Sequence, residues 1–379
     1  MYFFVLVLLI AASFFKKNSK GLFYLLYFFI FFVAVSFKEG HDLSYFELGF
    51  DNSIFLDTDH DDKSLVFRIY GTFLKSIGLS FYQFRIVCFL IWSIPLFFFI
   101  RHFSKCSALV AGLCSMFPIL VFASQIRNGV AMGFVYLAFF SLLKRSDLKG
   151  ILLFVALICI GGLIHNSVFV YLLGLIAVKP RPKVRPLFSV SLIIILFSSS
   201  IIGSGLLGVI VSELFGEYYA NFYFSQLEPF VFGNIHYFIG LFINLWFCYQ
   251  ADIILRGNYG RVSSELIRFS TFVFRLNIVL IALTPLLLIT LSFYRIYQNI
   301  FVLSVISVMN ASLYCHGGRK KRVDNHRECS QGQLIVLRSG MRKSGVYFRT
   351  GYALLYLIIT FLYQYGQGTF FEFWNSVSM

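Results

Sequence analysis

Residues 107–145 read SALVAGLCSMFPILVFASQIRNGVAMGFVYLAFFSLLKR. Two apolar runs, 107–123 and 129–143, flank a short polar corner, Ser124–Asn128, and the second run closes on Lys144 and Arg145. At 1.5 Å of rise per helical residue, each run approaches the length that crosses about 30 Å of hydrocarbon. The corner is short enough only for a tight turn between antiparallel neighbours. This stretch is therefore a helical hairpin whose solvent is lipid.

Working outward from the hairpin, similar runs recur near 1–15, 21–37, 81–100, 150–164, 166–178, 187–211, 236–254, 269–291, 296–313 and 351–366. The reading is an all-α integral membrane protein, one polytopic bundle of about twelve transmembrane helices filling residues 1–379. Composition agrees: 59% of the 379 residues are hydrophobic and 13% are charged, against about 25% charge in a soluble domain. Too few polar side chains exist to cover a particle of this size in water. The 64–80 stretch is broken by Arg68 and Lys75 and suits the interface or a re-entrant turn better than a span.

A net charge of +15 would point a soluble protein toward nucleic acid. Here the cations gather in short clusters between apolar runs, so no nucleic-acid partner is expected and the bilayer is. The first run is followed, not preceded, by Lys16, Lys17 and Lys20, the reverse of a signal peptide, and is expected to be a retained helix with its N-terminus outside. With that orientation the inner segments 16–20, 101–106, 144–149, 179–186, 255–268 and 314–350 hold 24 of the 32 Lys and Arg. Lys38, Lys63, Arg127 and Arg295 remain outside, while Arg68, Lys75, Arg85 and Arg275 lie in or beside apolar runs. Cytoplasmic loops carry the excess of cations, so the bias fixes the orientation. Two sizeable outer loops result, 38–64 and 212–235, with tight outer corners at Ser124–Asn128, His165–Asn166 and Ser292–Arg295. The basic cytoplasmic loop 314–350 reads as a solvated, headgroup-facing run.

Several motifs resolve to packing. Gly203, Gly205 and Gly208 spell GxGxxG, but inside an apolar span with no βαβ unit around it, so the glycines serve close helix approach or a break. Cys315, His316, His326 and Cys329 lack the paired spacing of a zinc site. The seven cysteines, several inside apolar runs, show no disulfide framework.

The outer corners carry the chemistry. Arg127 is flanked by Gln125 and Asn128 where a helix opens, and a guanidinium beside free helix amides outlines a phosphate site. Arg295 repeats the arrangement in the corner SFYR, with Tyr294 and Tyr297 nearby. His165 ends one apolar run at another outer corner, either as a general base or as a cap that pins the hairpin. The 38–64 loop begins with Lys38, Glu39, His41, Asp42 and Tyr45, offering carboxylates that can deprotonate a sugar hydroxyl or simply be solvated. A transporter that flips a lipid-linked substrate stays open as a second class, although no internal repeat is evident.

Four segments, FKEGHDLSYF (37–46), QIRNGVAMGFVYLAFFSLLKR (125–145), LIHNSVFVYLL (163–173) and SFYRIYQNIFVL (292–303), resemble in order and spacing the EpsG-like, Wzy-type polysaccharide polymerases. Lys38 stands where that pattern has Arg, Asn128 where it has Gln, and Asn166 follows the His. The resemblance covers about residues 1–313. It implies a GT-C-like, inverting, metal-independent membrane glycosyltransferase of the bacterial cytoplasmic membrane, its site facing outside. Such an enzyme joins polyprenyl-diphosphate-linked oligosaccharide repeat units into O-antigen, capsule or exopolysaccharide and needs no cofactor. A flippase and a chain-length regulator are its implied partners, and an O-antigen ligase shares its phosphate logic. In this frame Arg127, Arg295, Lys38, Gln125 and Asn128 bind the diphosphate, His165 or Asp42 activates the acceptor hydroxyl, and Tyr45, Tyr294 and Tyr297 touch sugar.

Overall fold

The computed structural model describes residues 2–36, 46–50, 65–145, 147–178, 189–194, 209, 212–213, 235–284, 287, 294–315 and 345–359, and among these the chain is helical with no strand. Four helical stretches are long and apolar enough to cross a bilayer: Phe81–Phe103, Ser107–Ser124, Ile126–Lys144 and Tyr237–Gly257. Shorter apolar helices lie at Tyr2–Phe15, Lys20–Ser36, Leu148–Ile164, Asn166–Val178 and Gly345–Ile359. The outward faces stay apolar: Phe4, Phe28, Leu152, Trp246 and Ile358 are each more than half exposed. In water such a surface would aggregate; in lipid it is simply the lipid-facing side.

The chain is thus an all-helical membrane protein. The spans read at 187–211, 269–291 and 351–366 are only partly described, and the glycine motif at 203–208, most of the loop 38–64, most of 212–235 and most of 314–350, with His316, His326 and Cys329, lie outside the described residues. Residues 65–76 form a single helix, Leu65–Ser76. Twelve residues rise about 18 Å, short of the hydrocarbon thickness.

The 107–145 hairpin differs from two plain helices. Its first arm runs Ser107–Cys114, widens into a π-helical turn at Ser115–Ile119, and resumes at Leu120–Ser124. Pro118 has no N–H and pushes the residue before it out of helical geometry, so Phe117 is extended at φ −159°, ψ 131°. The Tyr356 hydroxyl donates to the Phe117 carbonyl and so supplies a partner where the ladder is broken. The second arm, Ile126–Lys144, is continuous.

Gly129 and Gly133, spaced four apart on that arm, let it approach Phe81–Phe103. A Cβ on Gly133 would sit 2.5 Å from the Ile91 carbonyl oxygen, and one on Gly129 would sit 2.9 Å from that of Phe122. Apolar surface gives little net drive between helices already in lipid, so backbone contact at small residues is what holds such a crossing. Polar ties add to it. Arg85 reaches across to donate to the Ala34 carbonyl at 2.7 Å, which accounts for a buried cation inside an apolar run. Asn244, Asn277, Ser304 and Tyr352 form one hydrogen-bonded cluster joining four helices.

The two ends of the bundle are sorted. Three of the segments grouped by charge count as one side, 101–106, 144–149 and 255–268, meet at one end: His102 and Lys144 both reach Glu265, at 2.9 and 2.8 Å. The corners grouped as the other side meet at the opposite end, around His165. Tyr294–Ser312 runs between the two with all but Arg295 of its residues buried.

Candidate functional site

At the second end, Ile126–Lys144 starts directly after Gln125, whose side chain forms no capping hydrogen bond to the first turn. The first amides of this long helix therefore keep their outward-pointing hydrogens free of a side-chain cap, and the helix dipole places positive potential there. Arg127 lies on the first turn, half-buried, its guanidinium carbon 5.3 Å from the centre of the Phe46 ring.

Behind it, Asn128 is buried and reciprocally paired with Asn299. Each side-chain amide donates to the other's oxygen, at 3.2 and 3.1 Å, and Asn128 also donates to Gln125. Tyr136 donates to the Asn299 carbonyl at 2.9 Å and Tyr171 to that of Ile296 at 2.8 Å. These bonds clamp the start of Tyr294–Ser312 against the corner, and with it Arg295.

His165 completes the group. It caps Leu148–Ile164 in extended geometry, its N–H bonded to the Gly161 carbonyl at 2.8 Å, and a 3₁₀ helix, Asn166–Leu173, follows. Gly161 and Gly162 allow this reversal. A Cβ on Gly162 would fall 2.5 Å from the Phe169 ring, and one on Gly161 3.1 Å from the Ala131 carbonyl oxygen. A 3₁₀ turn rises about 2.0 Å per residue, so thirteen residues at 166–178 cover roughly 24 Å, more than an α-helix of equal length. The imidazole Nδ1 lies 3.4 Å from Ser167 Oγ, and Nε2 has no hydrogen-bond partner among the described residues. Burial first, and then the charges of Arg127 and Arg295, push His165 down from 6.5 to about 3. The ring is neutral at physiological pH and lies within the fields of both guanidinium groups.

Three corners far apart in sequence thus converge, and no carboxylate pairs with Arg127 or Arg295 among the described residues. A half-buried pair of guanidinium groups beside helix amides, with no carboxylate paired to them among the described residues, is suited to an anion with several oxygens, and phosphate is the natural match.

The structure reassigns some side chains. Asn128 commits its amide to holding two helices together, so in this conformation it positions the site. The Tyr297 hydroxyl is bonded to the Leu280 carbonyl at 2.9 Å and its ring is buried; Tyr294 is fully buried against Tyr237, 4.9 Å between ring centres. Neither ring presents an open face to a sugar. Lys38, Asp42 and Tyr45 lie outside the described residues.

Asn299, Gln298, Ser167 and Phe46 are what sequence reading missed. The signal existed for two of them: Gln298 and Asn299 follow Arg295 by one helical turn inside an otherwise apolar run, where a polar side chain needs a reason. Gln298 is fully buried, and neither amide atom of its side chain has a hydrogen-bond partner among the described residues.

These features define a class: a polytopic helical membrane protein with a cluster of two arginines and a histidine at one end of its bundle. The chain belongs to the EpsG family, whose family model matches residues 42–325. It is accordingly a membrane protein of the bacterial polysaccharide-polymerase type, in keeping with a glycosyltransferase-like activity. Neither a curated protein nor a solved structure matches it.

Proposed function

We propose that this protein extends a polysaccharide outside the bacterial cytoplasmic membrane by joining polyprenyl-diphosphate-linked oligosaccharide repeat units, as a GT-C-like inverting enzyme that works without a metal. The observation that carries the reading is the His165 imidazole lying within the fields of both Arg127 and Arg295, with no carboxylate paired to either among the described residues. The positive-inside bias of the loops supports placing this end outside.

In the proposed step the acceptor's sugar hydroxyl attacks the donor's anomeric carbon from the face opposite the diphosphate. The new glycosidic C–O bond forms as the bond to the diphosphate oxygen breaks, and polyprenyl diphosphate departs with that electron pair. Arg127 and Arg295, with Lys38 and the amides after Gln125, take up the charge developing on the leaving group. Preorganised donors of this kind are worth about 3 kcal/mol each in enzyme sites. The hydroxyl proton passes to His165 Nε2 or to Asp42. When Nδ1–H donates to Ser167, Nε2 presents its lone pair.

Without donor, burial first and the two cations second hold the imidazole far below its ordinary basicity. Binding the diphosphate neutralises the cations and removes the second of these, so the base gains strength once the leaving group is in place. This couples proton removal to donor occupancy and disfavours idle reaction with water.

The test is polymer length on the cell surface or from purified enzyme with lipid-linked repeat units. Arg127→Lys, which keeps the charge but loses the bidentate fork, shortens the product at unchanged protein level. Full-length polymer from both Arg127→Ala and Arg295→Ala sinks the diphosphate assignment. Wild-type activity in His165→Gln moves the base to Asp42. Deleting the gene leaves single repeat units on lipid in the outer leaflet; units held on the inner leaflet instead mark a flippase.

A further inference from the structure

The helix Leu65–Ser76 stands beside the corner site and has no part in the chemistry above. It packs against Phe81–Phe103 and against Leu148–Ile164, the helix that His165 closes. Its Phe67 ring lies 5.5 Å from that of Phe46, and the Phe46 ring in turn carries the Arg127 guanidinium. At 100° per residue the helix divides into three stripes. Phe67, Gly71 and Leu74 are buried and form the stripe that faces the bundle, whereas Ile69 and Phe73, each more than half exposed, form the one that faces lipid. Arg68 and Thr72, one turn apart, form the third stripe between these two.

That polar stripe is unfinished. The Nε and Nη1 atoms of Arg68 and the hydroxyl of Thr72 are buried, and none of them has a hydrogen-bond partner among the described residues. No carboxylate pairs with Arg68 among those residues either. Lys75, the next residue along the stripe, sits 6.0 Å from the centre of the Phe50 ring. A buried guanidinium without an anion, at the edge of a lipid-facing surface, is costly. Its vacant donors, with a hydroxyl one turn along, match the oxygens of a phosphate. The apolar stripe that adjoins them matches a lipid tail.

The polymerase reading, on which this inference rests, calls for such a place. In the step above both reactants are lipid diphosphates: the donor's departs, while the acceptor's stays at the far end of its own oligosaccharide from the attacking hydroxyl. Arg127 and Arg295 serve the first. A place for the second has to lie at the same end of the bundle but outside their cluster, and Arg68 is not among the cations that act on His165. We propose that Arg68 and Thr72 bind the diphosphate of the acceptor lipid, with the first isoprene units of its chain along Ile69 and Phe73.

The experiment uses the full-length protein, purified and delipidated in detergent, with native mass spectrometry on adding farnesyl diphosphate, phosphatidylglycerol or inorganic pyrophosphate. Wild type is expected to retain two molecules of farnesyl diphosphate. Arg68→Gln is expected to retain one, its second binding weakened about tenfold, as for the loss of a charge-assisted hydrogen bond. Arg127→Gln/Arg295→Gln also retains one, and the three substitutions together retain none. With lipid-linked repeat units, Arg68→Gln raises KM about tenfold at unchanged kcat. Thr72→Val, which keeps the side chain's shape and weakens the second binding about fivefold, decides the matter should Arg68→Gln fail to fold. A single molecule on wild type, two on Arg68→Gln, an unchanged KM, or a second place filled equally well by phosphatidylglycerol or pyrophosphate each overturns the proposal. Two molecules retained by Arg127→Gln/Arg295→Gln would count against the polymerase reading instead, so the two ideas fail separately.

Discussion

At one end of the bundle Lys144 and His102 share the Glu265 carboxylate and Arg256 is paired with Asp252; at the other, Arg127 and Arg295 flank an imidazole and pair with no carboxylate among the described residues. The first end shows what a membrane protein does with such cations: it neutralises them with a neighbouring acid, at little cost at the partly exposed Glu265. The second end shows no such pairing among the described residues while spending well-made hydrogen bonds behind it, at Asn128, Asn299, Tyr136 and Tyr171, on holding the helix ends in place. A rigid frame around uncompensated charge is what an anion-binding site requires, because the ligand then supplies the missing charge without reorganising the protein.

The sharpest way to break this contrast is to give the second end an acid of its own. Ser167→Asp places a carboxylate beside His165 and within reach of the cation field, and is expected to lower the initial rate of polymerisation by about 10²–10³-fold, the scale of losing a preorganised charge-stabilising group. An undiminished rate in that variant, with protein level unchanged, means the open charges serve no anion.

The frame is tested next. Asn299→Leu leaves the buried Asn128 amide without its partner, at a cost of about 1–3 kcal/mol, read as a fall in unfolding temperature; pairing it with Asn128→Leu recovers part of the loss.

A smaller effect lies in pH. The His165 ring titrates near 3 when folded and near 6.5 when unfolded, so below about pH 6.5 the unfolded chain takes up a proton that the folded one refuses. Stability from this group therefore falls as pH drops from 6.5 toward 3. Arg127→Gln removes one repelling charge and should raise the ring's titration point, visible by NMR of labelled histidine. No movement would place Arg127 outside the field of the ring.

Least of all should come from Glu265→Gln, which makes the first end resemble the second. Burial raises the Glu265 carboxyl, but its bonds to Lys144 and His102 outweigh that and hold it below 4.5, so the contribution is present above that pH and lost as pH falls below it. Being partly exposed, the pair is worth at most about 1 kcal/mol, and polymer length should not change. A collapse of polymer length in that variant would show that the two ends are coupled.

Much of the outline could be read from residue order. Run lengths marked the apolar helices at 81–100, 107–123 and 129–143 because a span needs a fixed number of residues, and the Lys and Arg clusters put 101–106, 144–149 and 255–268 in one group, which the fold joins through Glu265. Arg127, His165 and Arg295 stood out because polar groups at the corners of apolar runs are rare and costly. Legibility ended where a property depends on partners. Asn128 looked like a ligand and acts as a clamp, since only the fold brings Asn299 to it. Tyr294 and Tyr297 looked accessible at a corner and are buried, since the helix that carries them runs through the middle of the bundle. Arg275, which had no reason in the sequence, lines a cavity with Arg268 and Thr271 in the fold.

Sequence alone settled that this chain lives in lipid and which segments share a side, because hydrophobicity and charge are local properties that accumulate along the chain. Only the tertiary structure decided that three corners, separated by 38 and 130 positions along the chain, come together in one charged cluster. Such convergence depends on how closely helices approach at Gly129, Gly133 and Gly161 and on hydrogen bonds between residues as much as 171 positions apart, and neither distance is written in any single segment.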